Sequence, residues 1–181
     1  MSVRADYQNG LVLIRDVTGA RKIYFMGFYG KPLNAEKVKG EGDIKSPLIL
    51  NSYEALYLFE KGFIEIYESN NKVKDVEDLK RLLDFDEKKE RLYKVYRNLR
   101  DKKLIVRSGL KYGSEFVAYR KGPGIDHAPF IIHFHEYDRP FDPIELVRIG
   151  RLSHSVKKAF ILSTLRPNTK ALYIIFKWFK P

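Results

Sequence analysis

Three side chains far apart in the chain, Tyr119, His127 and Lys158, are of types that together can move protons and absorb negative charge. Tyr119 lies near the end of a segment that alternates Glu115, Val117, Tyr119 and Lys121 on one side, as a strand does. His127 follows in the tight loop Gly122 to Pro129, which two glycines and two prolines stiffen. An imidazole held on a stiff loop beside a strand end is well placed for proton transfer. The plainer alternatives are a turn histidine bonded to backbone and an aromatic filling core. Lys158 closes a stripe. At about 100° per residue, Arg148, Arg151, Ser155 and Lys158 fall within roughly a quarter of a helix circumference, apart from Leu146, Ile149, Leu152 and Val156. Such a stripe presents charge to a phosphate or is simply the solvated face of an amphipathic helix, and periodicity does not choose.

The other candidates are weaker. His133 and His135 stand two apart on a strand and so share a face, which admits a metal pair, but spacing supplies no third ligand and a cross-strand structural role fits as well. His154 neighbours the basic stripe and points elsewhere. Glycine-rich phosphate loops, zinc spacings and serine nucleophile elbows are missing from the sequence. The absence of cysteine removes disulfides, thiolate metal sites and a cysteine nucleophile together.

The elements that must position these residues follow from pattern. Residues 88–102 read as a helix with Leu92, Val95, Tyr96 and Leu99 on one stripe. Leu104 to Arg107 and Ser114 to Lys121 read as strands around the glycine-bounded turn Gly109 to Gly113, and Phe130 to Tyr137 as a third. Asp142-Pro143-Ile144-Glu145 is a helix start, with a cap, proline at the first position and glutamate three beyond the cap, and the helix is predicted to run to Lys158. Strands near 159–165 and 171–179 finish the chain. In the front half, Leu11 to Arg15 reads as a strand and Ala20 to Met26 as a helix ended near Gly27. Gly30 to Pro47 reads as a mobile surface loop, and Asn51 or Ser52 caps a helix that Gly62 stops. Ile64 and Ile66 share one face of a strand, and Asp75 to Leu83 reads as a further helix. The pattern restarts around Phe85 to Glu87, so a boundary is placed there, giving an α+β N-terminal domain over 1–85 and a mixed α/β C-terminal domain over 86–181.

Charge divides the chain at the same place. Residues 1–85 hold 13 Lys and Arg against 13 Asp and Glu, whereas residues 86–181 hold 21 against 10 and thus carry the whole excess of +11. A basic unit behind a neutral one points to a polyanion partner, through Coulomb steering and counterion release. A charge-rich surface on a stable protein is the alternative, and charge alone does not distinguish RNA from DNA. The stretch MSVRADYQNG lacks the apolar run of a secretory signal and no segment approaches a membrane span, so a soluble cytoplasmic protein with no membrane partner is expected.

Three separated strings, Ser108 to Gly113, Pro123 to Pro129 and Ser153 to Lys158, resemble the archaeal tRNA-splicing endonuclease family in content, order and spacing. The closing Phe176-Lys177-Trp178 is similar too, and the likeness is specific over roughly 104–160 and looser before residue 85. The resemblance implies a catalytic subunit whose C-terminal nuclease domain is restriction-endonuclease-like, with residues 1–85 serving scaffolding and assembly. It implies cleavage of precursor tRNA at bulge–helix–bulge intron boundaries without a metal. In that reading Tyr119 deprotonates the ribose 2′-hydroxyl, His127 protonates the departing 5′-oxygen, and Lys158 stabilises the charged phosphorane. Arg151 clamps a flipped nucleotide, with Trp178 and Arg148 as further RNA contacts. Tyrosine has an unperturbed pKa of about 10, so its role as base asks for a nearby cation such as Lys158.

One departure bears on assembly. Homotetrameric members that this chain resembles carry an acidic loop between the last two strands, whereas here the loop is Leu165-Arg166-Pro167-Asn168-Thr169-Lys170. A cation docking into a cationic groove is repulsive. A structural partner subunit supplying the acidic loop in an α2β2 heterotetramer is therefore expected, with a homotetramer as the alternative. Rival readings are a metal-dependent nuclease, for which Glu115 and Asp126 are the available acids, and a non-catalytic RNA-binding structural subunit, whose sequence should lack the Tyr119, His127 and Lys158 set.

Overall fold

The computed structural model describes residues 2–34, 38–125, 127–167 and 170–176, and the chain falls into two units, Met1–Glu87 and Lys88–Pro181. The first contains β1 (Val3–Gln8), β2 (Leu11–Ile14), α1 (Val17–Gly27), β3 (Lys31–Pro32), β4 (Leu48–Leu50), α2 (Ser52–Glu60), β5 (Ile64–Glu68), β6 (Asn71–Lys72) and α3 (Val76–Leu82). Its sheet runs β3-β4-β2-β1-β5-β6, with β1 parallel to β5 and the other pairs antiparallel. Asn51 caps α2 by accepting from the Glu54 amide while Glu54 returns to the Asn51 amide. Ile64 and Ile66 both face the core.

Two features of this unit differ from expectation. β1 has no counterpart in the pattern reading, because its buried residues are only Val3 and Ala5 between polar ones. It is nonetheless a central strand, bonded to neighbours on both sides. The stretch from Gly30 to Pro47 is tied down in its described part: Pro32 pairs within the sheet, Ile44 is fully buried, and Arg21 Nε donates to the Ile44 carbonyl at 3.1 Å. Residues 35–37 lie outside the described residues.

The second unit holds α4 (Glu87–Asp101), β7 (Ile105–Ser108), β8 (Phe116–Tyr119), β9 (Phe130–Phe134), α5 (Pro143–Ser155), β10 (Ala159–Leu165) and β11 (Ala171–Phe176). The sheet order is β11-β10-β9-β8-β7, with β9 and β10 parallel and the rest antiparallel. Leu92, Val95, Tyr96 and Leu99 of α4 are buried, each such side chain contributing about 1.5–3 kcal/mol through apolar burial. Tyr96 packs on Phe116 at 5.9 Å between ring centroids, and Asn98 accepts from the Tyr173 hydroxyl at 2.8 Å. Phe116 and Tyr173 share one sheet face with Ala118, Ile132 and Ser163, by strand alternation and register. The opposite face carries Val117, Tyr119, Ile131, His133 and Phe160, with α5 on that side through Glu145 and His133.

Several boundaries are corrected here. β8 is shorter than Ser114 to Lys121, its pairing with β7 running only from Phe116 opposite Ser108 to Tyr119 opposite Ile105. β9 stops at Phe134 rather than Tyr137: the His135 amide still bonds the Ser163 carbonyl of β10, and the chain then enters a turn in which the Arg139 amide bonds the Glu136 carbonyl. α5 does not run to Lys158. It ends at Ser155, with Lys157 in the left-handed region at φ +54°. The Lys158 amide bonds the Ser153 carbonyl at 2.9 Å and the Lys157 amide bonds the His154 carbonyl at 3.1 Å, the paired closure of a Schellman cap. A non-glycine residue in that conformation costs roughly 1–2 kcal/mol, offset by two satisfied carbonyls. No helix among the described residues is long and apolar enough to cross a membrane.

Candidate active site at one sheet edge

Register brings three distant stretches to the same edge of the C-terminal sheet. Ala118 pairs with Phe130, and Phe130 pairs with Ala159. β8 therefore ends, in Tyr119, where β9 and β10 begin. The residues just before those two strands are His127 to Pro129 and Lys158. Because β9 and β10 are parallel, their entries must lie side by side, and the Ala159 amide bonds the Pro129 carbonyl at 2.8 Å.

Lys158 and Tyr119 both reach Ala128, the residue that follows His127. The Lys158 ammonium donates to the Ala128 carbonyl at 2.6 Å, which sets it beside the residue that follows His127. Tyr119 packs on the buried cluster of Val117, Ala128 and Ile131, as do Tyr112 and Val156. His127 is exposed, whereas Tyr119 and Lys158 are half-buried. The arrangement sets a phenol, an imidazole and an ammonium at one edge, with the imidazole open to solvent and the ammonium held at a fixed carbonyl. Such a set can remove one proton, deliver another and neutralise charge developing between them. Lys158 also borders a cavity of about 560 Å³ between the end of α5 and Phe176.

The cationic stripe is only partly preserved. Arg148 and Arg151 are exposed on α5, Arg148 at 4.0 Å from Glu145, but Lys158 leaves the stripe because the helix has already closed at Ser155. Trp178 lies outside the described residues, as do Asp126 and the loop residues Asn168 and Thr169. His154 is exposed in the last turn of α5.

His133 and His135 do not form a pair. His135 lies past the end of β9, its Nε2 at 2.9 Å from the Arg139 carbonyl. His133 instead bridges three elements, with Nδ1 at 3.1 Å from Glu115 and Nε2 at 3.3 Å from Glu145. The Nδ1 contact is an ion pair without the alignment of a directional hydrogen bond. Glu145, expected in a capping box, serves this bridge, and Asp142 caps α5 through the Ile144 amide at 2.9 Å. Glu115, the acid open to a metal in the sequence, also accepts from the Phe134 amide at 2.9 Å.

The bridge is pH-sensitive. Contact with Glu115 raises the His133 pKa, burial works against this, and Glu145 adds to the rise. Burial pushes Glu115 upward, but His133 and the Phe134 amide outweigh it and hold the carboxyl below its ordinary value. The stabilisation tied to His133 is complete below its unfolded pKa of about 6.5 and is lost as pH rises through the raised folded value. That tied to Glu115 is present above about 4.3 and is lost as pH falls through the lowered value. His133→Gln is expected to lower stability by about 1 kcal/mol at pH 6, with a deficit that shrinks by pH 9. Thermal unfolding of both forms at the two pH values checks this, and a deficit that grows with pH would contradict it.

Two residues that carry structure at the site were not legible as such. The His133 bridge joins groups with no sequence periodicity in common. Tyr112 is marked only by the glycines that bound its turn.

A family profile described as tRNA intron endonuclease, catalytic C-terminal domain, matches residues 89–173, and one described as tRNA intron endonuclease, N-terminal domain, matches residues 3–80. The tRNA-splicing endonuclease of Hyperthermus butylicus is 47% identical over 181 residues, covering 99% of this chain and 99% of that protein. Those of Sulfolobus acidocaldarius and Saccharolobus solfataricus are 43% and 40% identical, each covering 98% of this chain and 99% of the relative.

Proposed function

Given that the chain belongs to the tRNA intron endonuclease family and contains its catalytic domain, we propose that it is the catalytic subunit of a tRNA-splicing endonuclease, cutting precursor tRNA at bulge–helix–bulge intron boundaries. The 2′-hydroxyl of the nucleotide at the cut attacks the adjacent phosphorus, Tyr119 takes its proton, and His127 gives a proton to the departing 5′-oxygen. Lys158 stabilises the extra negative charge on the phosphorane. The new O–P bond forms as the 5′-O–P bond breaks, leaving a 2′,3′-cyclic phosphate and a 5′-hydroxyl. RNA brings its own nucleophile, so the reaction needs no metal-bound water. Arg148 and Arg151 contact the RNA, with Trp178 as a third contact, and residues 1–85 serve assembly.

The observation that carries this reading is the convergence on Ala128: the Lys158 ammonium bonds the Ala128 carbonyl next to His127, and Tyr119 packs on the same residue's cluster. For assembly, the loop after β10 is basic in Arg166 and Lys170, so a structural subunit supplies an acidic loop and the enzyme is an α2β2 heterotetramer.

One experiment tests both parts. Intron-containing precursor tRNA is incubated in excess EDTA with the chain alone and with candidate structural subunits, followed by sizing and end-group analysis. Cleavage in EDTA with cyclic phosphate ends, strong only in the mixture, is the expected result. Ends carrying a 5′-phosphate would overturn the chemistry, and a fully active homotetramer would overturn the partner.

A further inference from the structure

The turn Leu110–Tyr112 takes no part in the reaction just described, yet its backbone is closely specified. The Tyr112 amide bonds the Gly109 carbonyl at 2.7 Å and the Gly113 amide bonds the Leu110 carbonyl at 3.0 Å. Gly113 closes the turn at φ +60°, and a Cβ at Gly109 would lie 2.8 Å from the Phe116 backbone. The consequence is a division of side chains. Leu110 is turned out, 83% exposed, while the Tyr112 ring is turned in against Val117, Ala128 and Ile131.

That ring lies beneath the Lys158 ammonium, 5.4 Å from its centroid, while the same ammonium donates to the Ala128 carbonyl at 2.6 Å. The two contacts differ in kind. The carbonyl takes one N–H along a line, whereas the ring face attracts the cation as a whole. An ammonium has three donors, so the pair fixes its position and still leaves N–H groups for an anionic oxygen. A lysine on a four-carbon stem without such contacts samples many rotamers, and electrostatic stabilisation acts fully only when the charge is already in place.

We propose that Tyr112 is a positioning residue for the cleavage reaction, its ring face holding the Lys158 ammonium against the Ala128 carbonyl and ready for a phosphate oxygen. This rests on the assignment of Lys158 to the reaction, and the test separates the two.

Single-turnover cleavage of precursor tRNA is measured with the full chain in its active assembly, carrying Tyr112→Leu, Tyr112→Phe, or phenylalanine with one, two or three ring fluorines at position 112. Fluorination weakens the negative ring face with little change of shape. Tyr112→Leu is expected to lower the saturated rate about tenfold with KM within about twofold, whereas Tyr112→Phe keeps most of the rate, and each added fluorine lowers it further. In parallel, without RNA, amine acylation at Lys158 is followed by mass spectrometry, with Lys157 as internal reference. Lys158 is expected to react several-fold faster in Tyr112→Leu than in the native chain, with Lys157 unchanged.

A rate indifferent to fluorination, or a Tyr112→Phe loss as deep as that of Tyr112→Leu, overturns the proposal. Unchanged Lys158 acylation overturns it as well. Faster acylation together with undiminished cleavage by both Tyr112→Leu and Lys158→Ala instead overturns the assignment of Lys158 to the reaction, while leaving the contact in place. Should Tyr112→Leu fail to fold, the fluorinated series decides alone.

Discussion

Replacing His127 with alanine is expected to slow cleavage of precursor tRNA by about 10²–10⁴-fold, the range for removal of a general acid. The side chain is exposed, so little packing is lost with it and the unfolding temperature should stay close to native. An alkoxide leaving group departs poorly without a proton. A bridging sulfur in its place departs well as the thiolate, since thiols are far more acidic than alcohols. The His127→Ala enzyme should therefore recover most of its rate on a substrate whose scissile 5′-oxygen is replaced by sulfur, while the native enzyme gains little. Single-turnover rates on the two substrates make the comparison. A deficit of equal size on both substrates would move His127 away from the leaving group, and undiminished cleavage of the oxygen substrate would favour a structural RNA-binding role for the chain.

Lys158→Ala is expected to lower the saturated rate by about 10²–10³-fold with a much smaller change in KM, because the ammonium opposes charge that exists only in the transition state. Its contact with the Ala128 carbonyl gives the loss a second, smaller component, since the carbonyl of a buried residue loses this donor. Lys158→Met separates the two, as it fills similar space without charge: stability close to native with the rate still down by orders of magnitude isolates the electrostatic part. Residues that act on one transition state are not additive, so the His127→Ala, Lys158→Ala double variant should fall short of the product of the single losses. A Lys158 effect confined to KM would instead make it a ground-state RNA contact, the role proposed for Arg148 and Arg151.

Members of the candidate site differed in how plainly they showed in the sequence. His127 was the most visible, because glycine and proline mark a stiff loop wherever they cluster. Lys158 is visible as a cation, but its periodicity points to the wrong local structure. Helical periodicity carried it onto α5, although the helix closes at Ser155 through a lysine in a conformation that favours glycine. No residue type announced that stop. The pair His133 and His135 suggests a shared strand face, but β9 ends between them as the chain enters the turn Glu136 to Arg139, and His133 turns to the carboxylates of Glu115 and Glu145. β1 was hidden for a related reason, since Val3 and Ala5 alone make a faint alternation and its neighbours on both sides supply the bonds that define it.

What the sequence by itself determined are the features whose partners lie within a turn or two: the Asp142 cap, a cap at Asn51 or Ser52 that the structure resolves to Asn51, the buried stripe of α4, the alternation of β5, and the concentration of positive charge after residue 85. Their hydrogen bonds and faces close locally, so residue type and spacing suffice. Only the tertiary structure decided that β8 ends where β9 and β10 begin, that the Lys158 ammonium reaches a carbonyl 30 residues earlier, and that Glu115 meets a backbone amide 19 residues later. Those contacts depend on sheet register and on one parallel strand pair, which are set by the packing of whole faces rather than by any short string of residues.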